Sequence, residues 1–229
     1  MKKSLITAIN VEDIASEAYR ELRTIFQYRN EEMNKQVVLI TSCHDRAGKS
    51  TVCANLGITL AQKKKKILII DANLRKPRLD SLFETKKENG LSKVIKNFQQ
   101  LGIVNEEKLM DAILKVKEVE GLFILPSGPI QVNSTELIDS QEMKKIVELL
   151  RQKFDHILID SPSIKNESDT IVLSHFVDGV ILVAEYLKTT DLDIISAIEH
   201  IKKVDAQVMG VVVTKAKIKR RLRNKTSVG

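Results

Sequence analysis

The sequence predicts a doubly wound α/β fold, a mostly parallel sheet with helices on both faces, and three observations carry that reading. Six apolar, β-rich runs occur at residues 36–41, 67–71, 121–125, 156–160, 179–184 and 207–214. They are continuous apolar blocks, not alternations, as expected of strands covered on both faces. Between them lie stretches of helical period at 49–62, 79–83, 91–99, 106–116, 136–153 and 192–204, and repeated strand–helix alternation builds a parallel sheet. The third observation is the join between first strand and first long helix, which carries Gly48-Lys49-Ser50-Thr51.

Each element has its own signal. The stretch at 136–153 starts after Ser134, a residue suited to capping, and places Leu137, Ile138, Met143, Ile146, Val147 and Leu150 on one apolar face. Residues 12–30 have helical character ahead of the first strand, with Glu17, Arg20 and Arg23 three apart on one stripe. No repeat or linker interrupts the chain. The organisation expected is a helical segment at 1–35, one domain at 36–214 and a tail at 215–229.

The 229 residues, 43% of them hydrophobic, suffice for one large core. Net charge is +7, and its placement matters. Lys215, Lys217, Lys219, Arg220, Arg221, Arg223 and Lys225 form a tail without an acidic residue; the remaining 30 Lys and Arg balance 30 Asp and Glu. Such a tail can hold anionic lipid or nucleic acid, or serve as a solvated end that aids solubility. Neither a signal peptide nor an apolar run of about 20 residues is visible. Cys43 and Cys53 lack metal-site spacing. These features together predict a cytoplasmic protein with reduced thiols.

Residues 43–50 follow the spacing of a phosphate-binding loop, with Cys43 where the first glycine usually stands. Backbone amides at Arg46, Ala47, Gly48, Lys49, Ser50 and Thr51 and the positive end of the following helix would cradle phosphate oxygens. Lys49 would neutralise the β- and γ-phosphates, and the Ser50 hydroxyl would ligate Mg²⁺. Two apolar strands end in carboxylates, Asp71 and Asp160. Delivered to the same sheet edge, they could hold Mg²⁺ and steer an attacking hydroxyl. ATP and Mg²⁺ are the ligands these motifs imply.

Five segments then occur in order: Ser16 to Thr24, the loop ending Gly48-Lys49-Ser50-Thr51, Ile69 to Pro77, Leu125 to Pro129, and Ile159-Asp160-Ser161-Pro162. Together they resemble the bacterial tyrosine kinases of the capsule and exopolysaccharide type, P-loop relatives of the MinD/ParA ATPases. The resemblance implies transfer of the ATP γ-phosphoryl group to tyrosine. It also implies activation by a membrane-embedded polysaccharide co-polymerase, homo-oligomers assembled through Glu17, Arg20 and Arg23, and a place at the inner face of the cell membrane. Asp71 would help deprotonate the acceptor, Asp160 would bind Mg²⁺ through water, and Arg75 would lie near the phosphates. No nucleic-acid partner is expected.

The chain departs from that pattern at several positions. Asn73 stands for a second aspartate, Asp45-Arg46-Ala47 for Pro-Gly-Glu, and Ser163 for a proline. Gln131-Val132 replace a proline pair, and Thr214 stands where an adenine-binding asparagine is typical. No tyrosine follows Tyr186, so the usual C-terminal tyrosine cluster is missing. Two alternatives to a working kinase therefore stand: a catalytically weak ATP-binding regulator, and a MinD/ParA-like ATPase. The second lacks its usual early lysine, since Thr41-Ser42-Cys43-His44 supply none. His44 and Asp45 read as loop filler, and Tyr19 as a packing residue at an assembly surface.

Overall fold

The computed structural model describes residues 5–10, 13–33, 35–85, 88–164 and 168–216. Its elements, in chain order, begin with α1 (Ile6–Ile9), α2 (Ile14–Met33), β1 (Val37–Ser42), α3 (Lys49–Ala61), β2 (Ile67–Asp71), α4 (Leu79–Phe83) and α5 (Leu91–Leu101). They continue with α6 (Glu106–Asp111), β3 (Leu114–Lys115), β4 (Leu122–Leu125), α7 (Ser134–Ile138), α8 (Gln141–Arg151) and β5 (His156–Asp160). The last are α9 (Ser168–Ser174), β6 (Gly179–Glu185), α10 (Asp191–Lys202) and β7 (Val208–Thr214).

The sheet order is β3-β4-β2-β5-β1-β6-β7. Every pairing is parallel except that of β3 with β4. Continuous apolar runs give two cores, because successive side chains on a strand point to opposite faces. Val37, Leu39, Leu68 and Ile70 join one cluster with Phe98, Ile146 and Leu150 from α5 and α8. Val38, Ile40, Ile67 and Ile69 join the other with Leu56, Ile58 and Leu60 from α3.

Helix α3 is buried almost all round, since the sheet lies on one side and α1 and α2 on the other. Asn55 on α3 accepts from the Thr7 amide (3.2 Å) and hydroxyl (2.9 Å), which docks α1. Tyr19 on α2 packs against the same core, and burial pushes its phenol up to about 12. It packs partly against its own chain's core. No helix among the described residues is long and apolar enough to cross a membrane.

Three expectations need correction. The stretch at 106–116 is helical only to Asp111, and Leu114–Lys115 then pair with β4 as a short antiparallel edge. The stretch at 136–153 is two helices, α7 and α8. Ser140 caps the second by accepting from the Met143 amide (3.2 Å), while Asn133 holds the N-cap position of α7. Ser134 does not cap; its hydroxyl donates to Asp169 (2.5 Å). The tail from Lys217 onward lies outside the described residues.

Candidate functional site

Strands β1, β5 and β2 are neighbours, so their carboxyl ends bring the loop after β1, Asp160 and Asp71 to one edge. Ligands in open α/β sheets bind at that edge. Asp71 and Asp160 are direct register partners on adjacent parallel strands, and both are fully buried.

Gly48 is the N-cap of α3 and has φ 102°. A Cβ there would meet only ordinary contact, 3.5 Å from Thr214 Cγ2; the left-handed backbone, not space, demands glycine. Arg46 also sits in left-handed space, at φ 62°. The two bracket Ala47 and curve the loop into a concave turn that opens α3 toward a cleft of about 400 Å³. Asp45, Arg46, Gly48, Lys49, Ser50 and Thr51 line one side of this cleft, and Asn73, Lys76, Arg78, Ser81 and Leu82 line the other. A larger hollow of about 660 Å³ lies at the opposite sheet edge, where Arg151 is one of its lining residues. Arg151 there is committed to a two-pronged pair with Asp178 (2.6 and 2.7 Å), and the carboxylates that line it, Asp155 and Asp178, precede β5 and β6 instead of ending them.

The electrostatics of the cleft floor follow from burial. Lys49 is only 7% exposed. Desolvation lowers its pKa, and the Asp160 and Asp45 charges oppose the shift. Burial pushes Asp160 up, against the attraction of Lys49 and the nearby Ser50 hydroxyl. Neither Asp160 oxygen makes a hydrogen bond of normal geometry within the protein. Burial, then the Asp160 charge, push Asp71 up too. Yet Asp71 is fully engaged: Oδ1 accepts from the Asn73 amide (3.2 Å), and Oδ2 from the Arg78 and Leu79 amides (3.0 Å each). The two carboxylates thus differ. Asp71 ties the start of α4 to β2, whereas Asp160 is a buried acceptor with only the Lys49 charge and the Ser50 hydroxyl beside it.

A buried carboxylate in that condition is costly unless something binds it. Beside Ser50, with phosphate oxygens within the loop's reach, it fits a hard divalent cation. Among the described residues no set of three or more His, Cys, Asp or Glu side chains could hold a metal by themselves. Mg²⁺ commonly takes one or two carboxylates plus phosphate oxygens and water, which is what this floor offers.

The structure brings together Lys49, Ser50, Asp71 and Asp160, with Arg46, Gly48 and Thr51 around the same cleft. Ala47 is buried behind the loop, so it could contribute only through its backbone. Arg75 is not among the cleft residues. Its Nε lies 3.7 Å from Asp169 Oδ2 and its Nη2 3.5 Å from Thr135 Oγ1, because the fully buried Asp169 draws the guanidinium to itself. Glu17 and Arg20 pair with each other on α2, and Arg23 Nη1 donates to the Thr59 carbonyl (3.3 Å) on α3; neither set reaches the cleft.

Sequence reasoning missed Lys76 and Arg78 as cleft residues, although two cations just past a strand-final aspartate were a readable signal. Asp45 is no filler: it accepts from Ser163 Oγ (2.6 Å) and pairs with Lys76 Nζ (3.2 Å). His44 likewise meets Asp193 at 3.1 Å.

Known proteins match this arrangement. The family model described as AAA domain matches residues 35–208. The chain is 33% identical over 221 residues to CapB of Staphylococcus aureus, to which tyrosine-kinase activity is ascribed, covering 95% of this chain and 93% of that one. It is 27% identical to tyrosine-protein kinase ptk of Acinetobacter johnsonii, covering 91% of this chain but only 27% of that protein's length. The crystal structure of the chimerical protein CapA2B2 superposes with a TM-score of 0.83 at 29% identity, over 93% of this chain and 90% of that one. The cell-division ATPase MinD of Pyrococcus furiosus shares the fold, with a TM-score of 0.64 at 24% identity over 78% of this chain and 71% of that one. A parallel sheet with this phosphate loop, two strand-end carboxylates and these relatives means that the chain belongs to the bacterial tyrosine-protein kinases, a P-loop family related in fold to MinD.

Proposed function

We propose that this chain is an ATP-dependent tyrosine kinase, acting with Mg²⁺ in capsular or exopolysaccharide synthesis. The observation that carries the proposal is the buried Asp160 carboxylate, whose oxygens make no hydrogen bond of normal geometry, beside the Lys49 ammonium and the Ser50 hydroxyl at the foot of a phosphate loop.

In this reading the loop amides and the N-terminal end of α3 bind the phosphates of ATP. Lys49 balances charge on the β- and γ-phosphates, and its burial strengthens that attraction. Ser50 and Asp160, with Asp71, would hold Mg²⁺. Bound there, the ion supplies Lewis-acid neutralisation of the phosphate charge. The acceptor phenol attacks the γ-phosphorus, its proton passes to Asp71, and the bond to the β–γ bridging oxygen breaks to release ADP. Burial and the Asp160 charge make Asp71 more basic than an ordinary carboxylate, which suits that role. Lys76 and Arg78, on the far side of the cleft, add positive charge where negative charge is carried by the transferring group.

The rest of the reading is organisational. Residues 36–214 form the kinase domain and residues 1–35 an assembly segment, with Glu17, Arg20 and Arg23 making contacts between copies. Residues 215–229 attach to anionic lipid at the inner face of the membrane, beside a membrane-embedded co-polymerase that activates the enzyme.

The test is incubation with Mg²⁺-ATP, a tyrosine acceptor and the cytoplasmic segment of the membrane partner. Phosphotyrosine that disappears in Lys49→Met is expected; its absence, when a typical family member works alongside, would overturn the reading. A second reading, a weak ATP-binding regulator of the same system, is favoured by Asn73. It predicts Mg²⁺-ATP binding of ordinary strength with no phosphotyrosine in that same assay.

A further inference from the structure

Five consecutive residues of the phosphate loop are each tied to another part of the chain. Cys43 Sγ lies 3.5 Å from the Asp193 carbonyl oxygen and His44 Nε2 3.1 Å from Asp193 Oδ2. Ser42 Oγ donates to the His44 carbonyl (2.6 Å). Asp45 accepts from Ser163 Oγ (2.6 Å), in the segment after β5, and pairs with Lys76 Nζ (3.2 Å), in the segment after β2. Beyond the end of β7, Lys215 Nζ donates to the Arg46 carbonyl (2.9 Å) and is itself held by Glu185 Oε1 (2.9 Å). Thr214 Oγ1 donates to the Ala47 carbonyl (2.5 Å), with the Ala184 carbonyl at 3.2 Å.

These ties act on the amides through peptide geometry. A trans peptide unit is planar, so its C=O and N–H point in opposite directions. Drawing the carbonyls of His44, Arg46 and Ala47 toward Ser42, Lys215 and Thr214 turns the N–H groups of Asp45, Ala47 and Gly48 the other way. The left-handed conformations of Arg46 and Gly48 curve that run of amides into an anion-binding concavity. A loop without such ties would have to order itself around each arriving phosphate, at a cost in affinity. The ties also pair up residues that looked like isolated irregularities in the sequence. Asp45 touches Ser163, and Ala47 touches Thr214.

We propose that these two contacts form a two-sided clasp that presets the phosphate loop before nucleotide arrives, with Ser163 and Thr214 as its positioning residues. The proposal rests on the loop being the nucleotide site. Thr214 holds the flank next to β6, and Ser163, working through Asp45, holds the flank next to β5. Neither needs to touch the nucleotide to raise its affinity.

Titration calorimetry of the full chain with Mg²⁺-ADP tests this. Ser163→Ala and Thr214→Val, which removes the hydroxyl at constant shape, should each weaken binding about fivefold, the worth of one hydrogen bond. Thr214→Ser, which keeps the donor, should restore binding to within about twofold of the parent, a rescue that loss of packing alone would not give. Circular dichroism melts of the nucleotide-free proteins check folding. If Thr214→Val does not fold, Ser163→Ala and Lys215→Ala carry the test on both flanks. Parent-like affinity in both hydroxyl-deleted proteins, or a Thr214→Ser protein as weak as Thr214→Val, overturns the clasp. Equal Mg²⁺-ADP binding by the parent and Lys49→Met would instead remove the nucleotide-site reading beneath it.

Discussion

Replacing Lys49 by methionine keeps a chain of similar length in a buried slot and removes one charge. Asp160 then keeps its burial and loses the cation that most opposes its upward pKa shift. Removing one partner of a buried charge pair costs about 3–5 kcal/mol while the other stays ionised. Asp160 can escape that cost by taking up a proton, at about 1.4 kcal/mol per pKa unit. A carboxyl whose folded pKa is raised contributes stability that is fully present below its unfolded pKa, about 4 for an aspartate. That contribution is lost as pH rises through the folded pKa. Deleting Lys49 moves the folded value further up and widens the window of loss. The Lys49→Met protein should therefore melt close to the parent near pH 4.5 and well below it at pH 8. A gap of about 3 kcal/mol there corresponds to roughly 6–12 °C for a domain of this size. The assay is thermal denaturation by circular dichroism at stepped pH, with chelator present throughout. A gap that stays constant with pH, or that widens on acidification, would refute the coupling of Lys49 to Asp160.

Two further outcomes follow from the same geometry. For the parent protein, stabilisation by Mg²⁺ with ADP should be larger at pH 8 than at pH 6, because the cation needs Asp160 ionised and burial favours the proton; equal thermal shifts at both pH values would contradict this. Gly90→Ala places a Cβ 2.3 Å from the Gly128 nitrogen and 2.4 Å from the Pro126 oxygen. Both atoms are backbone and cannot swing aside, so a loss of about 1–3 kcal/mol is expected in calorimetric melting; an unchanged melting temperature would show that the loop after β4 yields freely.

The sheet was legible because its central strands β1, β2, β5 and β6 are buried on both faces, and the burial erases alternation. Strand β7 reads as the same kind of apolar block, yet one of its faces is partly exposed at Val211 and Val213. The Ile67 to Asp71 block reads as a strand at sight and is fully buried. Edge strand β3 left no such mark: it is two residues long and both are exposed, so its one apolar residue, Leu114, does not make a block. The break between α7 and α8 was hidden for a different reason. The apolar period runs on through Ile138 and Met143, and only the capping hydroxyl of Ser140 interrupts it. At the site, Asp71 and Asp160 were visible as carboxylates ending apolar strands, a local pattern. The partners of Asp45 and Ala47 were not, because Ser163 and Thr214 lie 118 and 167 residues further along the chain. No local periodicity encodes a contact that only the sheet order creates.

Asn73 is the position where sequence and structure pull hardest against each other. As a missing aspartate it removes a charge that could have met a cation. In the fold its side-chain oxygen accepts from the Lys76 amide (3.1 Å), a task asparagine performs as well as aspartate. The residue is largely buried and lines the cleft beside Lys49 and Ser50. A third carboxylate there would sit near two that are already buried, and already harder to ionise for that reason. Like charges so placed cannot all ionise together. The amide preserves the turn after β2 and spares Asp71 and Asp160 that added repulsion. Asn73 is therefore compatible with phosphoryl transfer through the remaining pair. Restoring the charge by Asn73→Asp should raise the pH at which the nucleotide-free protein regains stability on acidification. Proton uptake on that shift belongs to the three-carboxylate cluster as a whole. An unaltered pH profile in the Asn73→Asp protein would show that position 73 lies electrostatically outside the site, and that its amide is there for the turn alone.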